Sequence, residues 1–153
     1  MEKLTVERVA YELAVSDKTL HRRFCAAIGH GVTKEIHRLR METAKRLLRD
    51  GEISIARVAQ RAGFGSRFTM NAAFHRDLFE KHFAFAKTLT EAGLVMPALE
   101  QCLKCSHLFN VLDASGGVGV TERTAYILRV RQLAVAIAQA YTESGRPAIE
   151  ARA

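Results

Sequence analysis

The sequence feature that most constrains the fold is a pattern of helix signals that occurs twice in the first half of the chain. Apolar residues recur at helical spacing over residues 5–14, and Ser16 then supplies an N-cap for a second helix. The same order returns over residues 55–62, where a glycine turn leads to a second capping serine, Ser66. Each occurrence predicts two short helices joined by a tight turn, so the pattern is an internal repeat of a helix-turn-helix.

A longer amphipathic helix is predicted between the two repeats. It begins at Thr33 and ends at Gly51, because glycine readily adopts the left-handed conformation at a helix C-terminus. Basic side chains occupy its outward face. The inward face is expected to carry Ile36, Leu39, Ala44, Leu47 and Leu48.

Helical spacing also describes the rest of the chain. The helix capped by Ser66 is expected to give way after Leu78 to a separate helix that is closed by Gly93, and a further helix follows. A glycine-rich loop at 113–120 then leads to a last helix capped by Thr121. One face of that helix is predicted to carry Ile127, Val130, Ala134, Ile137 and Tyr141.

These patterns predict an all-α fold in which tandem helix-turn-helix units, joined by a long linker helix, precede a small C-terminal helical bundle. We expect a helix-turn-helix domain at 1–78, a helical domain at 79–145 and a flexible tail at 146–153. Charge follows the same division, since residues 1–78 carry 15 Lys and Arg against 9 Asp and Glu, whereas residues 79–153 carry 8 against 7. Such an asymmetry indicates a nucleic-acid module joined to a region of another kind.

The composition narrows the cellular setting. The N-terminal segment places charged residues where a secretory signal needs an apolar run, and no stretch reaches the roughly 20 apolar residues of a membrane span. We therefore expect a cytoplasmic protein without a membrane partner. The three cysteines, Cys25, Cys102 and Cys105, are odd in number, which favours reduced thiols over a disulfide framework.

The segment SDKTLHRRF, residues 16–24, has the chemistry of a DNA-recognition helix. Its polar side chains stand away from two apolar positions, as a helix that reads base edges in the major groove requires. With LTVERVAYELAV before it and RLRMETAKRLLRDGEISIARVAQRAGFGS after it, the segment resembles the AraC family of DNA-binding proteins over residues 4–78. The resemblance implies that two recognition helices enter neighbouring major-groove faces of double-stranded DNA.

The resemblance assigns DNA contacts in the first recognition helix by position. It points to Lys18, His21 and Arg22 at or near base edges, and Arg22 suits bidentate reading of guanine. Arg23 is assigned to phosphate. The alternative is that these side chains only solvate a helix face, as runs of charge commonly do.

In the second recognition helix the matching positions are Arg67, Phe68 and Asn71. Asn71 is suited to pair with adenine, and Phe68 to contact a thymine methyl group. Ala72 stands where many AraC-type proteins have a long polar residue. We therefore expect the second helix to read DNA more weakly than the first.

The second half of the chain resembles a different family. LKCSHLFNVLDA at 103–114 and VTERTAYILRVRQLA at 120–134 look like the C-terminal helical region of the bacterial glycyl-tRNA synthetase alpha subunit, a likeness that we assign to residues 79–145. In that family this region is an appended helical domain involved in subunit assembly, whereas the reaction takes place in a class II catalytic domain. No upstream segment resembles that domain, so we do not expect an enzyme. Ser115 and Gly119 depart from the arginine and serine that are commoner at those loop positions.

Weaker signals for other chemistry are present. Cys102, Cys105 and His107 form a C-x-x-C-x-H pattern, but a structural zinc site needs four ligands and no second pair follows. The glycine loop at 116–119 lacks the Lys-Ser or Lys-Thr that ends a phosphate loop, and no histidine has a nucleophile at a suggestive spacing. We expect no metal, no cofactor and no catalytic residue.

Three hypotheses of function follow. The leading one is a sequence-selective transcriptional regulator of AraC type whose partner is double-stranded DNA. The alternative is a non-catalytic alpha-subunit-like module for subunit assembly or tRNA interaction, with self-association or synthetase-subunit contact through its C-terminal helices. The third is a chimeric or truncated reading frame whose two halves have no joint function.

Overall fold

The computed structural model describes residues 4–145, and over that range it consists of α-helices without a strand. The all-α prediction is confirmed, whereas the tail predicted at 146–153 lies outside the described residues. No helix within this range is both long enough and apolar enough to cross a membrane. The helices are α1 (Val6–Glu12), α2 (Asp17–Ile28), α3 (Val32–Asp50), α4 (Ile55–Arg61), α5 (Arg67–Glu91), α6 (Val95–Ala114) and α7 (Val120–Gly145).

Backbone contacts divide the chain into two compact units, one ending at Met70 and the other beginning at Asn71. We call them the first unit and the second unit. The division falls inside α5, eight residues before the domain boundary expected from the sequence. The domain boundary at residue 78, where the two family resemblances meet, therefore stays a prediction.

The turn after α1 and the turn after α4 have the same backbone hydrogen bonds. In each, the N–H that follows the turn donates to a carbonyl five residues earlier, which satisfies a carbonyl at the helix end. The two bonds run from Val15 to Ala10 at 3.0 Å and from Phe64 to Ala59 at 2.8 Å. Both turns therefore end their helices in the same way.

A serine caps the second helix of each pair. Ser16 Oγ accepts a hydrogen bond from the Thr19 backbone N–H at 3.2 Å, and Ser66 Oγ accepts one from the Thr69 N–H at 3.1 Å. The two hydroxyl groups of each pair also share a hydrogen bond, at 2.9 Å and 3.0 Å respectively. The predicted internal repeat is confirmed in both its caps and its turns.

The helix α3 joins the two repeats and begins one residue earlier than predicted. It starts at Val32 behind Gly31, so Thr33 is its second residue. Val32 is buried in the core of the first unit, and that burial fixes the helix start. The core cluster consists of Ala10, Leu20, Val32 and Ile36.

Two residues predicted on the inward face of α3 are in fact exposed. Leu39 is 43% exposed and Leu48 is 45% exposed, whereas Met41, which was not predicted to face inward, is buried. Leu39 lies at the edge of the buried face, and Leu48 lies in the last turn of the helix. Ile36 and Ala44 are buried as predicted.

The helix α5 continues without a break past position 78, where two separate helices were predicted. That prediction is wrong. The segment Arg67–Glu91 contains no glycine or proline, so its backbone has no residue that would end a helix. The change of apolar register after Leu78 marks a new packing face on the same helix.

The second unit is a bundle of α5, α6 and α7. Its apolar side chains form two clusters, and α6 and α7 make the most extensive helix contact. One cluster consists of Phe79, Cys105, Leu108, Leu112 and Tyr126, and the other of Ala86, Leu89, Ala98, Cys102, Leu133 and Ile137.

The inward face of α7 differs from the predicted one. The helix begins at Val120, so Thr121 lies within its first turn and does not cap it. The Tyr126 ring packs edge-to-face on the Phe79 ring, with 4.6 Å between the ring centres. It also stacks on the Phe109 ring, with 5.8 Å between the ring centres. These contacts turn Tyr126, Val130, Leu133 and Ile137 inward and leave Ile127, Ala134 and Tyr141 exposed.

Candidate functional site

The four DNA-contact residues predicted on α2 all have exposed side chains. Lys18 and Arg22 are four residues apart and therefore lie on the same helix face. Among residues 4–145, no carboxylate forms an ion pair with Lys18, Arg22 or Arg23. This face can therefore offer cations to a polyanion.

His21 differs from its neighbours on α2. Its Nε2 atom lies 3.5 Å from the Sγ atom of Cys25, one turn along the same helix. Its ring also lies close to Gly31, where an added Cβ would come within 3.1 Å of His21 Cε1. The imidazole is thus directed along its own helix, and its predicted contact with DNA stays a prediction.

The three contacts predicted on the second recognition helix lie at the start of α5. The guanidinium of Arg67 lies 5.0 Å from the centre of the Phe68 ring, and both side chains are exposed. Asn71 is also exposed, and it is the first residue of the second unit. All three assignments stay predictions.

Ala72 has a packing role that the sequence does not reveal. It is half-buried against the cluster that contains Phe79. A Cβ added to Gly117 would approach the Ala72 Cβ to 3.3 Å. The small side chain at position 72 therefore allows close contact with the loop before α7, which a long polar residue would obstruct.

An ion pair connects α5 to the start of α7. Arg76 Nε donates to Glu122 Oε1 at 3.0 Å, and Arg76 Nη2 donates to Glu122 Oε2 at 3.1 Å and to the Gly117 carbonyl. The hydrogen bond from Arg76 lowers the pKa of Glu122, and the same bond raises the pKa of Arg76. This arrangement fixes the loop through Gly117 to the bundle.

A second arginine lies over the aromatic residues of the bundle. Arg129 donates to both carboxylate oxygens of Glu80, at 2.6 Å and 2.7 Å. Its guanidinium lies 4.9 Å from the Phe79 ring centre and 4.3 Å from that of Phe83. The bond with Glu80 raises the pKa of Arg129. Glu80 and Arg129 are 49 residues apart, so no local pattern could predict their pairing.

The cysteine and histidine pattern on α6 does not assemble a metal site. Cys102 and Cys105 are free thiols buried in the two clusters, whereas the His107 side chain is exposed. Burial raises the pKa of Cys105 to about 12. Over the described part of the chain, no group of three or more potential ligands could hold a metal ion.

An exposed apolar face on α7 is the feature that the sequence interpretation missed. The predicted stripe mixed buried and exposed positions, whereas the exposed side chains form a surface of their own. We call it the α7 outer face. It comprises Ile127, Leu128, Ala134, Val135, Ala138 and Tyr141, and the exposed Arg131 lies among them. The sequence does contain one indication of this face, because Leu128 and Val135 are seven residues apart and therefore lie on the same side of the helix.

Comparison with known proteins identifies the family. No solved structure matches this chain. The family model described as glycyl-tRNA synthetase alpha subunit matches residues 34–146, about three quarters of the chain. The match begins within α3, well before residues 79–145, whose sequence resembles the C-terminal helical region of that subunit. The chain therefore belongs to the glycyl-tRNA synthetase alpha subunit family.

Proposed function

We propose that this chain is a non-catalytic subunit-assembly module of the glycyl-tRNA synthetase type, and that its partner is a synthetase beta subunit. The observation that supports the proposal is the α7 outer face, which lies on a bundle inside the matched range. Assembly is favoured over tRNA binding because residues 79–153 are nearly neutral. An apolar surface suits a protein partner better than a polyanion.

The α7 outer face has the properties of a protein-binding surface. Large apolar side chains and a tyrosine, Tyr141, project from it into solvent. Tyrosine and other large side chains are enriched among the residues that contribute most to binding. The opposite side of α7 is held by Tyr126 and Leu133 in the core, so the surface is ordered before a partner arrives.

The chain is also proposed to lack aminoacylation activity of its own. Residues 79–145 resemble the appended helical region of the alpha subunit, whereas the reaction of that family takes place in a class II catalytic domain. We expect no glycine-dependent ATP–pyrophosphate exchange by the purified chain. Exchange above the level of a mock preparation would contradict this part of the proposal.

The binding proposal is tested with two variants of equal chemistry on different helices. Leu128→Glu combined with Val135→Glu places two charges on the α7 outer face, whereas Met96→Glu combined with Leu103→Glu places two charges at exposed positions of α6, also seven residues apart. Calorimetric titration with a synthetase beta subunit should show binding by the wild type and at least tenfold weaker binding by the α7 variant. The α6 variant should bind like the wild type.

Two outcomes would reject this proposal. One is equal binding by all three proteins, or no binding by the wild type. The other is a complex that forms with tRNA alone at the same affinity, because that would assign the surface to RNA. Circular dichroism of each variant verifies that the helices are intact.

A second candidate function is sequence-selective DNA binding of AraC type. It is favoured by the repeated caps at Ser16 and Ser66, which present two helix starts in the same way, and by the unpaired cations of α2. Selection of bound duplexes from a random library should then recover a defined sequence. Affinity for that duplex should fall steeply with salt, because each phosphate contact releases a counterion.

Arg22 is the residue with which to test DNA binding. Arg22→Ala should remove about 1–3 kcal/mol of discrimination at one base pair. Arg49→Ala, an exposed arginine of α3, removes the same charge and should leave discrimination unchanged. An affinity without salt dependence, unaffected by Arg22→Ala, would exclude this function.

A further inference from the structure

A cavity of about 700 Å³ lies in the first unit. It is bounded by α3 on one side and by α4 with the turn after it on the other. Sites for small molecules commonly have volumes of roughly 300–1,000 Å³. Neither function proposed above uses this cavity.

The body of the cavity is apolar. Ile36, Ala62 and Phe64 line it and are buried. Leu4 and Leu39 also line it, and both are partly exposed to solvent. A hydrocarbon group in the cavity would cover these side chains and remove their surface from water.

The polar lining of the cavity is strongly cationic. Arg40, Arg46 and Arg61 line it, and the lining contains no aspartate or glutamate. None of the three arginines forms an ion pair with a residue in the described range. Uncompensated positive charge in a concave, partly apolar site attracts anions.

Arg40 is held in place and has one donor without an acceptor. Its Nη2 donates to the Leu4 carbonyl at 2.6 Å. Its Nε is buried and has no hydrogen-bond partner among the described residues. A Cβ added to Gly63 would lie 3.3 Å from this Nε, so the guanidinium rests against the turn after α4. A buried N–H without an acceptor is uncommon in folded proteins.

We propose that the cavity binds a small organic carboxylate with a hydrocarbon body. The carboxylate would accept hydrogen bonds from Arg40 and be attracted by Arg46 and Arg61. A planar carboxylate matches the fork of a guanidinium. The hydrocarbon part would pack on the exposed surfaces of Leu4 and Leu39. An inorganic anion would leave that apolar lining uncovered.

The test uses decanoate as the probe and a tryptophan as the reporter. The chain contains no tryptophan, so Leu39→Trp introduces a single tryptophan at the cavity, and its emission is excited selectively over that of the three tyrosines. Leu48→Trp places the same residue at an equally exposed position of α3 outside the lining. Decanoate below its micelle-forming concentration should change the emission of the first variant with saturation and leave the second unchanged.

Two further comparisons test the carboxylate and the arginines. Decanol, with the same hydrocarbon chain and no charge, should bind the Leu39→Trp protein at least tenfold more weakly than decanoate. Adding Arg61→Gln should weaken decanoate binding at least tenfold, whereas Arg57→Gln, a matched charge loss on α4 outside the lining, should not. In an NMR titration the Arg40 Nε–H resonance should shift with decanoate.

The results that would overturn the proposal are distinct from those that bear on the proposed assembly function. Three results would overturn the carboxylate proposal: the absence of saturable decanoate binding, equal affinity for decanol and decanoate, and equal weakening of decanoate binding by Arg57→Gln and Arg61→Gln. Displacement of decanoate by phosphate at equal concentration would also overturn it, because it would show a general anion site. Each of these can occur whether or not a beta subunit binds α7.

Discussion

Ala14 and Gly63 occupy matching positions in the two turns, and both have positive φ, 50° and 84° respectively. This left-handed conformation destabilises a residue that has a Cβ by roughly 1–2 kcal/mol, whereas glycine is not strained by it. We expect Ala14→Gly to raise the free energy of unfolding by up to about 1 kcal/mol, since the relief of strain exceeds the added chain entropy. Urea denaturation measures the change.

The reverse change at the second turn provides the complement. Gly63→Ala should lower the free energy of unfolding for two reasons. An alanine at position 63 would have an unfavourable positive φ, and its Cβ would lie 3.3 Å from Arg40 Nε. Ala26→Gly, at an exposed position within α2, should be destabilising by about 0.5–1 kcal/mol. A loss of stability in Ala14→Gly equal to that in Ala26→Gly would refute the strain at Ala14.

The thiol groups should differ in reactivity. Burial raises the pKa of Cys105 to about 12 and also raises the pKa of Cys102, so both thiols stay protonated at pH 8. Cys25 is only half-buried. Iodoacetamide should therefore label Cys25 in the native protein well before Cys102 and Cys105, as followed by mass spectrometry. All three should react at similar rates in denaturant, and native labelling of Cys105 at the rate of Cys25 would contradict its burial.

Between elements, the Arg76–Glu122 pair makes the second unit sensitive to acid. The folded-state pKa of Glu122 is lowered, so its contribution is complete above the unfolded pKa and is lost as pH falls through the folded value. Glu122→Gln should lower stability at pH 7 by about 0.5–1 kcal/mol, a small effect because both side chains are partly exposed. The difference from the wild type should shrink below pH 4.5.

Glu143→Gln is the control for that titration. It removes an exposed carboxylate from α7 that forms no ion pair with the described residues. Thermal unfolding at several pH values should show a pH-dependent difference for Glu122→Gln and none for Glu143→Gln. Matching pH profiles for the two variants would show that the pair adds nothing.

Local patterns predicted the helices better than their faces. Caps such as Ser16 and Ser66 depend on neighbours within one turn, and both were found as predicted. Apolar residues surround α7 on several sides, so periodicity alone left its inward face ambiguous. The contact of Tyr126 with Phe79, 47 residues earlier, decides it.

The candidate sites divide in the same way. The exposed cations of α2 follow from helical spacing and were predicted. The Arg76–Glu122 pair and the cavity beside Arg40 depend on contacts between distant segments, and no local pattern contains them. The α7 outer face could be recognised only after the packing had shown which residues of α7 are buried in the core.

In the molecule as a whole, each unit has an apolar core of its own. Phe79 is fully buried in the second unit, and Phe79→Ala should cost about 3–5 kcal/mol there through lost packing and a cavity. Phe85→Ala, at an exposed position of the same helix, should have little effect. Hydrogen exchange should show α6 and α7 losing protection in the first variant while α1 to α4 keep theirs.

Loss of protection throughout the chain in Phe79→Ala would show that the first unit is not stable by itself. It would also count against the hypothesis of a reading frame whose halves are unrelated. Persistence of α1 to α4 alone, together with rapid proteolysis of the rest, would be the result expected of such a chimera.

The aromatic packing of the second unit has a spectroscopic consequence. The chain has three tyrosines and no tryptophan. Tyr11 and Tyr141 are 84% and 63% exposed, whereas Tyr126 is 6% exposed and fixed against two phenylalanine rings. Near-ultraviolet circular dichroism depends on fixed tertiary packing and is lost when that packing loosens. The near-ultraviolet tyrosine band should therefore report the packing of the second unit alone. Loss of this band would show that the core around Tyr126 has loosened, whatever the state of the first unit.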